Sequence, residues 1–204
     1  MLQIVLSIIS CGIGVYAYGN NACAIFTGKM QTSFWGRLIW LGTNTVVLLA
    51  LFGGNASMLT IIPMIFNVSF MVLIQIACAY RRLFTITKID IVCLVIVAVG
   101  MAYYVFASEI GGLVITLVAD AIGGALVILG MFKRLHTGGK PENRRQYVLS
   151  GVRNVMMLFA NDSAPTFLSV FGLAFQTFEA LVLAICAHIT KKSSLAKQGD
   201  DTSA

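Results

Sequence analysis

The chain has 204 residues, 58% of them hydrophobic and 11% charged, with a formal net charge of +6. Soluble domains carry about 25% charged residues, so this chain cannot cover itself with a polar surface and its solvent is expected to be lipid. The positive charge does not point to nucleic acid, because it lies in short loops between apolar runs, where anionic headgroups and the insertion machinery account for it. The length allows one helical bundle and no sizeable soluble domain.

Crossing the hydrocarbon takes about 20 apolar residues, and seven stretches are candidates: 2–19, 34–53, 58–80, 88–107, 110–133, 146–162 and 165–190. The first imitates a signal peptide, and Ile8-Ile9-Ser10-Cys11 loosely imitates a lipoprotein cleavage site. It lacks the basic leader of such signals and reads as a retained helix. The second opens on Trp35, an interface anchor, and Trp40, about one turn before Asn44 on a similar face. The third contains Pro63, a candidate kink. Asp90 opens the fourth, where its charge suits the helix dipole. The fifth, sixth and seventh each bury one ionisable side chain: Asp120, Arg153 and Glu179. Pro165 suits the first turn of the seventh. Residues 193–204 read as a disordered tail.

Lys and Arg fall in alternate gaps between these stretches. Lys29 and Arg37 mark the first gap, Arg81, Arg82 and Lys88 the third, and Lys133, Arg134, Lys140, Arg144 and Arg145 the fifth. Lys191, Lys192 and Lys197 follow the seventh stretch, while the second, fourth and sixth gaps hold none. Short cytoplasmic loops retain Lys and Arg during insertion. The pattern therefore predicts a multi-pass protein of the bacterial inner (plasma) membrane, with its N-terminus outside and its C-terminus cytoplasmic. Residues 54–57, 108–109 and 161–164 would lie outside. Asn55-Ala56-Ser57 and Asn161-Asp162-Ser163 match the glycosylation triplet, but loops this short are poor acceptors. The cysteines Cys11, Cys23, Cys78, Cys93 and Cys186 form no Cys-x-x-Cys pair and read as packed thiols.

The chain resembles itself at a shift of about 110 residues. Gly14 falls on Gly124, Thr27-Gly28 on Thr137-Gly138, and Asn44 on Asn154. After two residues are removed from the last outside loop, Phe70 falls on Phe178 and Ile76-Ala77-Cys78 on Ala184-Ile185-Cys186. The expected fold is an all-α membrane protein with seven transmembrane helices: two parallel three-helix repeats, 1–80 and 109–192, joined by a linker helix in 81–108, with the tail from 193. Repeats of one orientation are related by an axis along the membrane normal.

This three-plus-one-plus-three layout resembles the SWEET and PQ-loop transporters, and the bacterial nicotinamide riboside transporters share the plan. The Pro-Gln pair of the PQ-loop family is absent. Gly12 and Gly14 stand in helix one and Gly123 and Gly124 in helix five. Repeat-matched asparagines line the central site of SWEET proteins, which implies such a role for Asn44 and Asn154, although here they lie on the second helix of each half rather than the third. Asp120-Ala121-Ile122-Gly123 and the basic loop with Pro141-Glu142 are also similar to small uncharacterised bacterial membrane proteins.

Charges in lipid cost roughly 2.5–3.5 kcal/mol on insertion scales, so Asp120, Arg153 and Glu179 should face the bundle interior. Their repeat partners are Ser10, Thr43 and Met71, which leaves the first half without matching charge. Two roles stand open for the three. One is an interior ion pair of Arg153 with one or both acids that locks the second bundle. The other is a place on a central path, where an unpaired acid can exchange protons. Asn44, Asn154, Asn67, Gln75 and Gln176 could bond across helices, with a solute-binding role also open for the pair Asn44 and Asn154, and Trp40 beside Asn44 either packs in the core or suits a sugar or nucleoside base. The substrate-binding set is thus Asn44, Asn154, Trp40, Asp120, Arg153 and Glu179. No nucleotide loop, paired histidine motif or Asp-rich metal motif appears, so neither enzyme chemistry, cofactor nor metal is expected. The leading function is a small secondary transporter or facilitator moving a small polar solute by alternating access. A non-transporting accessory or structural membrane protein is the alternative. Membrane lipids are the expected surroundings, and a homo-oligomer is compatible with the sequence.

Overall fold

A backbone in hydrocarbon must satisfy its own hydrogen bonds, which leaves a helix as the natural form of each apolar run. In a computed structural model the chain forms seven α-helices: α1 Leu2–Phe26, α2 Phe34–Gly53, α3 Met58–Tyr80, α4 Lys88–Phe106, α5 Glu109–His136, α6 Arg144–Ala160 and α7 Phe167–Asp201. The structure describes residues 1–29, 32, 34–84, 86–136, 144–161 and 166–201, the side chains of 130, 133–136, 144 and 191–201 excepted. There is no strand among the described residues. Pro165 and most of the basic loop around Lys140 lie outside them.

Six helices, α1–α5 and α7, are long and apolar enough to cross a membrane, which makes this a multi-pass membrane protein. The sixth, α6, has 17 residues and is not among those six. Two boundaries differ most from expectation. Helix α1 runs past position 19 to Phe26, because Asn21 turns into the bundle instead of ending the helix. Helix α7 continues through polar residues as far as Asp201. Extending an existing helix costs little, and residues 191–198 contain neither Pro nor Gly to stop it.

Local chemistry sets several ends. Thr87 caps α4 reciprocally: its hydroxyl accepts from the Asp90 amide at 3.2 Å, and the Asp90 carboxylate accepts from the Thr87 amide at 2.9 Å. Asp90 thus does more than complement the dipole. Helix α3 continues through Pro63. Turns from the two halves are tied together at one end of the bundle. The Ser57 amide donates to Asn161 Oδ1 at 2.9 Å, and the Thr166 hydroxyl donates to the Gly54 carbonyl at 3.0 Å.

Helix α1 packs on α3 and α6, and α5 packs on α7 and α2. Helices α2 and α3 pack together, as do α6 and α7, while α2 also meets α7 and α3 meets α6. Helix α4 stands at the periphery against α5 and α2. It approaches α5 through glycines: a Cβ at Gly112 would overlap the Tyr104 backbone, and one at Gly100 would lie 3.0 Å from the Thr116 amide. Small residues at such crossings let backbones come close, which is how helices associate where lipid is as apolar as Leu. Its outer face carries Val95, Val99 and Phe106 exposed, as a lipid-facing surface requires. The largest apolar core joins α2, α3, α5 and α7 around Val46, Leu51, Met64, Leu113 and Leu173.

Candidate functional site

The polar side chains inside these helices converge. Asn44 and Trp40 on α2, Asp120 on α5, Arg153 and Asn154 on α6 and Glu179 on α7 all line one cavity. Tyr18 on α1 and Met71 on α3 complete the ring of helices, and α4 contributes nothing to it. The cavity measures about 60 Å³, room for a few water molecules.

The six residues proposed from the sequence are therefore neighbours, but their partners differ from those expected. Arg153 is 2% exposed. Its Nε and Nη2 donate to Asn154 Oδ1 at 3.2 and 2.7 Å, and its guanidinium lies 5.2 Å from the centre of the Tyr18 ring. Among the described residues no carboxylate pairs with it. The expected ion pair of Arg153 with Asp120 or Glu179 is not formed. Its physical replacement is an amide carbonyl with two N–H donors pointed at it, plus the negative face of an aromatic ring. The Arg153 stem lies against α1, where a Cβ at Gly14 would be 3.6 Å from its Cδ. The cation thus leans toward the first half of the chain, away from the acids.

The acids meet each other instead. Asp120, 2% exposed, and Glu179 lie close enough across α5 and α7 to interact. Gly124 makes room for the Glu179 carboxylate, since a Cβ there would overlap Glu179 Oε1. A hydrogen bond between two carboxyl groups requires a proton on one of them.

The asparagines are used unequally. Asn44 donates to the Trp40 carbonyl at 2.6 Å, and its Oδ1 accepts from Asn67 on α3 at 2.5 Å and from Gln176 on α7 at 3.4 Å. It therefore ties α2 to both α3 and α7. Asn154 serves Arg153. Trp40 stands beside Gly123, whose Cβ would lie 3.7 Å from the indole nitrogen. Three polar atoms of lining residues have no partner: Arg153 Nη1, Gln176 Oε1 and Glu179 Oε1. Leaving such a group unpaired costs about 1–3 kcal/mol. The cavity can thus offer one cationic donor and two acceptors to whatever fills it.

Sequence reading missed Gln146, Tyr147 and Ser150, which also line the cavity. Their signal was present. Together with Arg153 and Asn154 they recur at i, i+1, i+4, i+7 and i+8, the stripe of one helical face. Helix α6 is polar along its inner face, which also explains why it is less apolar than its neighbours. Among the described residues no group of His, Cys, Asp or Glu could hold a metal ion. No family model, curated protein or solved structure matches the chain.

Proposed function

We propose that this protein is a small secondary transporter or facilitator, moving a small polar solute by alternating access between two three-helix repeats. The observation that carries the reading is the composition of the cavity wall. Helices α1, α2, α3, α5, α6 and α7 each supply a side chain to one space, and that space holds three unpartnered polar atoms. Sites between repeats near mid-membrane are where alternating access places its solute.

The pattern of packing supports the repeat. Exchanging α1 with α5, α2 with α6 and α3 with α7 turns every packed pair among these helices into another packed pair. Helix α4 stands outside the exchange, as a linker would. In this reading α6 is the seventh span. Its 17 residues reach about 25 Å at the α-helical rise, and its neighbours α1 and α7 flank it. The positive-inside pattern then places the N-terminus outside and the C-terminus in the cytoplasm, in a bacterial inner membrane.

The test is a melting-temperature screen of the purified protein against a library of sugars, nucleosides, amino acids and organic acids, followed by uptake into proteoliposomes of every hit. A ligand that binds the native state raises its stability. A solute that raises the melting temperature and is accumulated or equilibrated by the liposomes supports the reading. If no solute of the library does either, the protein is better read as an accessory membrane protein with a structural polar interior.

A further inference from the structure

Buried polar groups continue beyond the cavity. Asn21 on α1, Arg37 on α2 and Gln75 on α3 are 5%, 6% and 8% exposed. Each sits about one turn from members of a single apolar cluster: Asn21 from Tyr18 and Ile25, Arg37 from Phe34 and Trp40, Gln75 from Met71 and Cys78. The three therefore face the same interior of the first bundle at similar depth. At the repeat shift their counterparts are Met131, Tyr147 and Leu183, and these three pack into one cluster of the second bundle. The first half thus carries two amides and a guanidinium where the second half carries Met131, Leu183 and Tyr147.

These groups are not spent on one another. Asn21 Nδ2, Arg37 Nη1 and both polar atoms of the Gln75 amide lack any partner. Arg37 is nevertheless held in place, its Nε donating to the Thr32 hydroxyl at 3.0 Å and its guanidinium lying 4.9 Å from the centre of the Trp40 ring. Native interiors rarely leave buried polar atoms unpaired, and here four belong to residues flanking one apolar cluster. The free set is three donors, one of them cationic, and one acceptor. Converging N–H donors around an arginine are what a carboxylate group accepts from.

Trp40 connects this cluster to the cavity, since it lines the cavity and also stacks on Arg37. In the cavity Arg153 repeats the arrangement, with Nη1 unpaired and the guanidinium over Tyr18. Two buried arginines, each with a free N–H and an aromatic neighbour, are thus linked through Trp40, which touches Arg37 and lines the cavity with Arg153.

We propose that Asn21, Arg37 and Gln75 form a second binding site, for the carboxylate of a small organic acid or amino acid, which the solute reaches from Arg153 when Trp40 moves aside. The inference rests on the transport reading and narrows its solute to one that bears a carboxylate. Arg153 receives that group first. The Arg37 site draws it toward the basic, cytoplasmic end of the first bundle.

The experiment uses three carboxylates and their matched amides: lactate and lactamide, succinate and succinamide, alanine and alaninamide. Uptake into proteoliposomes and melting temperature are measured for each. At least one carboxylate is expected to enter at least tenfold faster than its amide. The triple variant Asn21→Met, Arg37→Tyr, Gln75→Leu borrows the residues that already pack in the second half. It should cut that uptake at least tenfold, while the carboxylate still raises the melting temperature through Arg153. Gln75→Leu alone should raise the melting temperature by about 2 °C or more and lower uptake, because it removes two unpaired buried atoms that serve only the solute. Uptake unchanged in both variants removes the second site from the path. A fall in melting temperature for Gln75→Leu, which shows the amide to be structural, also overturns the proposal. Amides moved as fast as acids overturn the carboxylate assignment and leave the transport reading standing. If none of the six solutes binds or moves, the assignment fails, and the wider solute library decides separately whether transport fails with it.

Discussion

Glu179 of α7 occupies the space that a Cβ at Gly124 of α5 would take: such an atom would overlap Glu179 Oε1 and lie 3.2 Å from its Cδ. At the repeat-matched Gly14 of α1 the same atom would sit 3.6 Å from Arg153 Cδ, an ordinary contact. One substitution should therefore act in opposite directions at the two sites. Gly14→Ala is expected to be neutral or to stabilise by up to about 1 kcal/mol, because Ala loses less backbone entropy in a helix. Gly124→Ala is expected to destabilise by about 1–3 kcal/mol through overpacking, and to displace the Glu179 carboxylate from Asp120. Melting temperatures in detergent compare the two. Equal losses at both positions would contradict the packing described.

Asp120 and Glu179 can hydrogen-bond to each other only when one of them carries a proton. An amide in place of either carboxyl can make that bond and keeps the volume but removes the exchangeable proton. Asp120→Asn and Glu179→Gln are each expected to melt within about 3 °C of the parent, since about 1 kcal/mol corresponds to a shift of roughly 2–4 °C at this size. Uptake by the parent should vary with pH, and uptake by each amide variant should not. The check is a pH series of proteoliposome uptake alongside melting curves. A variant that keeps the parent's pH response shows that the coupling proton sits elsewhere.

Much of this architecture was legible because lipid simplifies the problem. Apolar length alone marks helices, so α2 and α3 end where the hydropathy does, and α4 comes within a residue of it. Depth was legible too: a charge inside an apolar run must face inward, and Asp120, Arg153 and Glu179 all do. Partner choice was not. The sequence shows two acids and one base, and Coulomb's law favours pairing them, but rotation about each helix axis decides who meets whom. Arg153 leans toward Gly14 and Tyr18 of α1, whereas Glu179 fits into the space left by Gly124, one turn from Asp120 on α5. Nor could hydropathy find Asn21 as a buried residue, because Gly19-Asn20-Asn21 reads as a helix end until tertiary packing carries α1 through it.

The orientation has its own test. Met58 at the start of α3 is 60% exposed, and Lys88 at the start of α4 is exposed on the far side of the α3 span. In a variant lacking all five cysteines, Met58→Cys is expected to react with a membrane-impermeant maleimide added to intact cells, and Lys88→Cys only after lysis. Ala56, though nearer the middle of that turn, is 8% exposed and makes a poor reporter. Labelling of position 88 from outside would invert the topology and with it the assignment of Arg37 to the cytoplasmic end.

Arg153 and Asn154 give the sharpest contrast, because sequence and structure lead to different expectations. If Arg153 balanced the two acids, Arg153→Met would expose two unpaired carboxylates and cost about 3–5 kcal/mol, the price of breaking a buried pair. In the structure no carboxylate pairs with Arg153, which depends instead on Asn154 Oδ1. Arg153→Met removes the buried cation and leaves Asn154 Oδ1 without its donors, so it is expected to cost about 1–3 kcal/mol, less than a broken ion pair. It should lose the melting-temperature rise that a bound solute gives. Asn154→Leu should be the damaging change, since it leaves the guanidinium buried with its Nε and Nη2 hydrogen bonds gone, and a loss of about 3–5 kcal/mol is expected. The double variant Arg153→Met, Asn154→Leu should recover most of that loss, because no cation remains to be satisfied. A double-mutant cycle on melting free energies measures the coupling directly. Additive effects, or a large loss in Arg153→Met alone, would show that the cation is held by the acids and not by its neighbour on α6.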